Sequence, residues 1–414
     1  MSGENRELKK FAPTLVLLVL AVLINYVDRG SLSLAVPELK VEWSLSATQL
    51  GILLSSFFWT YTLLQSAIGW LVDRYGANLV MTLGLFVWSL ATATTGLATG
   101  FAMLLSLRLL LGIGESVVFP ASSKILAEHL SEHSRGFANS LICAAMRWGT
   151  AVGTFGGGFI LARYGWRATF VVLGLVGLMW LPAWMRWKPT HAESKSQIGR
   201  EGTPTFKAIL QKRSFWGAAM GHFSANYLAY FLMSWLPYYL VHERHLSIAS
   251  MVGTAGILYS VDSVCAIATG WISDRRILGG VSPTVVRKWA MGIGFSVAAA
   301  ALAACAVAGS RTYMACLVGT AVGCGIANAN VFAIAQTLAG PRGAGRWVGL
   351  QNCIANFAGI SGPALTGFII DWTGHFGLAL AVVALVTLGG GVAWVFVVQR
   401  IEETRWKTIQ MSAA

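Results

Sequence analysis

Gly69-Trp70-Leu71-Val72-Asp73-Arg74 and Gly270-Trp271-Ile272-Ser273-Asp274-Arg275 are two versions of one hexapeptide, set 201 residues apart in a chain of 414. Each follows a long apolar run and closes it with a fixed pair of charges. A weaker echo joins Arg135 to Arg346, each placed just before a later apolar run. The chain therefore reads as two similar halves, each made of the same succession of apolar segments.

Working outward from these loops, windows of about 20 apolar residues place twelve helices. Six lie at 12–36, 48–71, 78–98, 101–127, 136–162 and 166–185, and six at 214–241, 249–272, 288–308, 313–339, 346–370 and 376–398. The expected fold is an all-α membrane protein with twelve transmembrane helices in two six-helix bundles. Residues 1–187 make the first bundle, 188–213 a cytoplasmic linker with room for a short surface helix, and 214–414 the second bundle. Two duplicated six-helix halves are the architecture expected of a secondary transporter.

Composition excludes most other classes. The chain is 56% hydrophobic and 11% charged, whereas a soluble domain carries about 25% charged residues. The apolar runs are continuous rather than alternating, which excludes a membrane barrel. The net charge of +13 does not form one patch for nucleic acid. It gathers at Arg6, Lys9 and Lys10, between Arg186 and Arg213, and at Arg400, Arg405 and Lys407. An even number of spans puts all three clusters on one side, and the bias of Lys and Arg toward cytoplasmic loops makes that side the cytoplasm, with both termini inside. The expected location is the cell inner membrane. Six cysteines fall in apolar segments without metal-ligand spacing and read as small buried hydrophobes. The first apolar run has no small-residue cleavage site, so it is expected to stay as a transmembrane helix rather than be removed as a signal peptide.

Charges inside the spans carry the functional signal. Asp28 and Arg29 interrupt the first span, Arg108 and Glu115 the fourth, Arg147 the fifth and Asp262 the eighth. An ionisable group at membrane depth costs roughly 2.5–3.5 kcal/mol on insertion scales, so its default meaning is functional. Both signs are present, which points to a polar pathway for an anion.

Several strings resemble a known family. Gly69 to Gly76 (G-x-x-x-D-R-x-G) is similar to the hallmark loop of the major facilitator superfamily, and Arg108-x-x-x-Gly112-x-Gly114-Glu115 resembles its fourth-helix motif. Asn25-Tyr26-Val27-Asp28-Arg29, Gly114 to Pro120, Asn226-Tyr227-x-x-Tyr230-Phe231-Leu232-x-Ser234-Trp235-Leu236-Pro237 and the stretch from Asn356 to Gly367 resemble its anion:cation symporter family. That family contains bacterial galactonate, hexuronate and glucarate transporters and the animal sialin and vesicular glutamate transporters. The resemblance spans nearly the whole chain and implies the major facilitator fold. It also implies proton-coupled symport of an organic carboxylate, and a charge network at Arg108 that orders the helices. The paired charges Asp73 and Arg74, and Asp274 and Arg275, are implied to act as gating loops that tie the halves together on the inside.

The residues support the same picture. Asn25, Asp28, Arg29 and Leu32 lie at i, i+3 and i+4 spacing and are expected to share one face. Arg108, Gly112, Glu115 and Phe119 form a stripe on the fourth span, with Arg108 and Glu115 about 10.5 Å apart along the axis. Asp28 and Glu115 are the expected proton-coupling carboxylates. When a substrate anion takes a nearby arginine, a buried carboxylate loses its counter-charge and favours its protonated form, which links substrate to proton. Arg29 is the expected carboxylate ligand, and Tyr61, Gln65, Asn226, Tyr230, Asn352 and Asn356 are expected to read hydroxyls or the carbon skeleton. Each charge also has a structural alternative: Asp28 with Arg29 as an ion pair, and Glu115 as part of a close-packed Gly112–Gly114 contact.

Arg147 is a departure from the family's usual small or amide residue. It is either a second carboxylate clamp or an ion-pair partner for Glu115, Asp28 or Asp262. Asp262, with Tyr259 one turn earlier, is either a second proton site or that partner. His222 reads as an interfacial histidine near a helix start, and Trp235, Tyr238 and Tyr239 as interfacial anchors. Gly149, Gly153 and Gly157 repeat every four residues and suit close helix contact.

No P-loop, zinc spacing or nucleophile–base pairing stands out, so no cofactor, metal or enzyme activity is expected. The expected partners are a small organic anion, protons and the lipid bilayer, with no nucleic acid, and the expected state is a monomer. Two rival functions remain. One is an exporter or exchanger of amphipathic molecules resembling spinster-type carriers, which share an Arg-x-x-x-Gly-x-Gly-Glu string. The other is a carboxylate sensor that binds without moving its ligand.

Overall fold

The computed structural model describes residues 4–45, 47–189, 203–310, 312–374 and 376–406, so most of the expected linker, 190–202, lies outside the described residues. Fourteen α-helices follow one another among the described residues, without a strand. In the first half these are α1 (Glu4–Glu42), α2 (Ala47–Tyr75), α3 (Ala77–Thr95), α4 (Phe101–Glu115), α5 (Val118–His129), α6 (Glu132–Val152) and α7 (Gly158–Trp187). After the short α8 (Phe206–Leu210) come α9 (Arg213–Tyr238), α10 (Ile248–Leu278), α11 (Pro283–Ala306), α12 (Tyr313–Asn356), α13 (Ala358–Thr373) and α14 (Gly377–Val392).

These helices map onto the expected spans with three differences of local origin. The fourth span is broken at Ser116 and Val117, so α4 and α5 share it. Gly165 is non-helical and lies inside α7, so the fifth span runs from α6 through a π-helical turn at Gly153–Gly157 into the start of α7. α12 merges the tenth span with the start of the eleventh across Gly340, whose φ of 64° leaves the right-handed region and is followed by Pro341. A residue with a Cβ resists that backbone and proline cannot donate to the preceding turn, so the pair bends the helix there. α8 is the short helix for which the linker had room, and Thr205 caps it by accepting from the Ala208 amide.

Eight stretches among the described residues are long and apolar enough to cross a bilayer. α2, α6 and α9 are not among them, and their inner faces carry Gln65, Arg147, His222 and Asn226. Polar character is thus concentrated on helices that meet at the middle of the molecule. The outer surface is apolar, with Leu83, Met179, Val264, Leu385 and Phe396 exposed, as lipid-facing helices require.

Within each half the helices pack through indoles and small residues. Trp88, Trp184, Trp347 and Trp394 are fully buried. Trp180 stacks on Trp184 with centroids 4.9 Å apart and donates to the Leu17 carbonyl at 2.9 Å, which fixes α7 against α1. The halves meet chiefly where α2 packs on α12 and α10 on α6. α2 and α10 carry the two copies of the repeated hexapeptide at their ends, so the interface has the same approximate two-fold symmetry as the sequence.

Candidate functional site

Arg29 is the centre of the site. Its Nε donates to Glu115 Oε2 at 3.0 Å, and its guanidinium carbon lies 4.6, 5.1 and 4.3 Å from the ring centroids of Tyr26, Phe57 and Tyr61. Phe57 and Tyr61 stack with centroids 5.0 Å apart, which is the one-turn spacing of α2. The guanidinium is therefore held by one carboxylate and three aromatic faces. Cation–π contacts of this desolvated kind are worth about 2 kcal/mol or more.

Glycine brings these elements together. A Cβ on Gly112 would meet the Phe57 carbonyl oxygen at 2.5 Å, so α4 touches the α2 backbone there and delivers Glu115 beside the aromatic cage. On α6, a Cβ on Gly149 would meet the Leu23 carbonyl oxygen at 2.6 Å, and one on Gly153 the Val27 Cα at 2.9 Å. The α6 glycines thus press against α1 beside Tyr26 and Arg29.

Asp28 sits away from this pair. Its Oδ2 accepts from Thr92 Oγ1 of α3 at 3.4 Å, and the side chain is buried. Successive helical residues are about 100° apart, so Asp28 turns toward α3 while Arg29 turns toward α4. The two expected proton carriers are therefore not in one contact, and of the two only Glu115 pairs with Arg29. Arg108 is buried with its guanidinium carbon 5.4 Å from the Phe57 centroid, so Phe57 is shared by two arginines.

Across the interface, Arg147 Nε donates to Asp262 Oδ2 at 2.8 Å, joining α6 to α10. Of the partners open to Arg147 in the sequence, the structure selects Asp262. Beside the pair lies a cavity of about 80 Å³ bounded by Tyr26, Arg147, His222, Asn226, Tyr230 and Asp262, among others. His222 is buried in its wall ten residues into α9, with Nδ1 3.2 Å from Gln351 Nε2 and its ring edge-on to Phe332, rather than at an interface near a helix start. Tyr230 Oη donates to Asn356 Oδ1 at 2.6 Å, and Asn356 Nδ2 donates to the Asn352 carbonyl at 2.7 Å. Gln65 is fully buried, and both ends of its amide lack a hydrogen-bond partner among the described residues. Of the residues expected to read hydroxyls, Tyr61 stands in the aromatic cage, Asn226 and Tyr230 line the cavity and Asn356 is bonded to Tyr230, whereas Gln65 and Asn352 are buried on α2 and α12 and do not line the cavity.

The expected anchors behave differently. Trp235 donates to the Pro363 carbonyl at 3.2 Å and packs edge-on to Phe376, while Tyr239 is buried and accepts from Arg244 Nε at 2.7 Å. Both join helices within the second half. The Tyr238 side chain is outside the described residues.

At the end of the bundle that carries the termini, the halves are closed on each other. Asp73 accepts the amides of Gly345 and Arg346 at 3.1 and 2.8 Å and pairs with Lys124 at 3.2 Å. Asp274 accepts the amides of Gly136 and Phe137 at 3.0 and 2.6 Å. Each carboxylate therefore meets backbone donors near the start of a helical segment in the opposite half, where the helix dipole also favours it. Arg74 and Arg275 take no part. They are exposed and lie over Trp70 and Trp271 of their own helices, at 5.7 and 4.1 Å.

The same closure uses residues that the sequence did not single out. Glu132 pairs with Arg287 at 2.6 Å and accepts from Thr337 Oγ1 at 2.5 Å, and Asn139 and Gln336 exchange amide hydrogen bonds at 2.9 and 3.0 Å. A cavity of about 940 Å³ opens outside this layer, between Glu128–Arg135 and the C-terminal Arg400–Glu403. It is larger than the central cavity, but the closed layer separates it from Arg29.

The family model of the Major Facilitator Superfamily matches residues 18–286. The chain belongs to the major facilitator superfamily. It is 31% identical over 403 residues to the "Hexuronate transporter" of Bacillus subtilis, covering 92% of each chain. It is 29% identical over 402 residues to the "Probable L-galactonate transporter" of Escherichia coli, covering 93% of this chain and 89% of that one. Among solved structures, the proton:xylose symporter XylE matches with a TM-score of 0.75 at 14% identity, over 95% of this chain and 97% of that one. The family match and the names of the relatives agree on a membrane transporter rather than an enzyme.

Hydrogen bonds to a charged group contribute about 1.5–3 kcal/mol each. Asp73→Ala is therefore expected to speed hydrogen exchange at the Gly345 and Arg346 amides by roughly tenfold or more. Unchanged exchange there, in a variant of normal stability, would show that Asp73 does not hold the closure.

Proposed function

We propose that the chain is a proton-coupled symporter of a sugar acid or related organic carboxylate. It works by alternating access between the bundles 1–187 and 214–414, with 188–213 as the tether, in the cell inner membrane with both termini cytoplasmic. The observation that carries this is the Arg29–Glu115 pair at 3.0 Å inside a cage of three aromatic rings. A guanidinium is the side chain best matched to a carboxylate, and here it holds one that is buried and can be exchanged for another.

A substrate carboxylate that takes Arg29 leaves Glu115 without a counter-charge in a water-poor site. The cost of a buried unpaired charge is several kcal/mol, so Glu115 takes a proton when substrate binds. Substrate and proton then bind together and leave together, which is linkage rather than a mechanical device. Tyr230, Asn226 and Asn356 supply donors and acceptors for hydroxyls. Names of the relatives, a hexuronate and an L-galactonate transporter, support the substrate class.

The test is accumulation of labelled galacturonate and galactonate by liposomes containing the purified chain, under an imposed pH gradient. Uptake above equilibrium that collapses with a protonophore is the expected result. Uptake only to equilibrium, or none with either acid, would contradict the proposal.

A further inference from the structure

We propose that Arg147 forms a second carboxylate site, so that the preferred substrate is a dicarboxylate whose far carboxylate displaces Asp262 from Arg147. This rests on Arg29 binding the first carboxylate.

Two half-buried arginines share one neighbour. Tyr26 lies 4.6 Å from the Arg29 guanidinium and lines the same cavity as Arg147. Each arginine holds one of the protein's own carboxylates through Nε, Glu115 at 3.0 Å and Asp262 at 2.8 Å. Each site therefore already accommodates a carboxylate, and Tyr26 is a neighbour common to both.

The sequence repeat places Asp262 at working depth. It follows Tyr61 by 201 residues, the same offset as the two hexapeptides. Tyr61 lies 4.3 Å from the Arg29 guanidinium, so its counterpart in the second half occupies the equivalent level of α10. The Arg147–Asp262 pair is thus a mid-depth feature and not part of the closed layer at the terminal end.

The pair is also a partition. On one side is the cavity of about 80 Å³ that contains Asn226 and Tyr230, and on the other a smaller cavity of about 20 Å³ that contains Tyr259. Arg147, Asp262 and Ala229 line both. Parting the pair joins the two spaces, which makes room for the substrate end that takes Arg147. The Arg147 side chain retains 21% exposure, so its remaining donors are not sealed in. Parting it also removes a bond between α6 and α10, and so between the halves. A dicarboxylate would loosen that bond, whereas a monocarboxylate would leave it intact.

The experiment uses purified full-length chain in liposomes and compares galactarate with galactonate, six-carbon acids of matched hydroxyl pattern with two and one carboxylates. Wild type is expected to half-saturate with galactarate at a concentration at least about tenfold lower. The double variant Arg147→Gln/Asp262→Asn removes both charges without orphaning either, and is expected to bring the two acids within about twofold. Arg147→Lys keeps the pairing with Asp262 but loses the fork, and is expected to reduce the preference several-fold. It decides the matter if the double variant does not fold. Wild-type preference for galactonate, or an unchanged preference in a folded variant, would overturn the second site while leaving the symport proposal standing. Transport of neither acid by wild type would remove the carboxylate reading and this site with it.

Discussion

Glu115→Gln is expected to abolish accumulation driven by a pH gradient while sparing exchange of substrate across the membrane. Glutamine keeps a hydrogen-bond acceptor for Arg29 Nε, now 3.0 Å from Glu115 Oε2, but it cannot load a proton. Each pH unit is worth 1.36 kcal/mol, so a one-proton symporter of a monoanion under a gradient of roughly two units sustains about hundredfold accumulation. Without the coupling carboxylate the ratio falls to about one. Exchange persists because Arg29 remains charged and caged, and no longer has an internal anion to displace. The paired measurements are pH-driven uptake and counterflow on the same liposomes. Full accumulation by the variant would take Glu115 out of the coupling, and loss of both would assign it to folding or binding.

Arg29→Lys is expected to weaken substrate binding by roughly a hundredfold, or about 3 kcal/mol. Lysine keeps the charge, so a purely electrostatic role would survive the change. It cannot present two parallel donors to a carboxylate, nor lie flat between the rings of Tyr26, Phe57 and Tyr61, which stand 4.3–5.1 Å from the guanidinium carbon. The loss is expected in the half-saturating concentration, read by isothermal titration or by inhibition of counterflow. Wild-type affinity in a folded Arg29→Lys protein would mean that the cage is a structural pair and that the substrate binds elsewhere.

How far the sequence revealed these features depends on whether the signal was local. The hexapeptides at Gly69 and Gly270 carried the duplication, and the long apolar runs carried the spans. The structure places those repeats at the ends of α2 and α10, on the interface between halves. Helical spacing was less informative within α1. The spacing of Asn25, Asp28, Arg29 and Leu32 predicts one face, yet Asp28 and Arg29 are adjacent, and a turn of about 100° sends one to Thr92 and the other to Glu115.

Contacts between distant segments had no local signal at all. The sequence leaves Asp262 as one of three partners open to Arg147, because 115 residues separate them and only the α6–α10 packing brings them to 2.8 Å. The cage roles of Tyr26 and Phe57 have no sequence signal for a different reason: in an apolar span, an aromatic residue is the ordinary filling. Only the placement of two guanidinium groups over Phe57, and of Arg29 beside Tyr26, distinguishes them. His222 is ten residues into α9, close to where the expected span also starts, and what buries it is the packing of α9 on α12, which turns it toward Gln351 and the cavity and has no local signal.

The central claim is that substrate carboxylate and proton occupy Arg29 and Glu115 together. It is tested most directly by following luminal pH in liposomes of purified wild-type chain when a sugar acid is added outside, with no gradient imposed. The account predicts luminal acidification that follows substrate entry, saturates with it, and disappears in Glu115→Gln. Substrate entry without proton movement would contradict it.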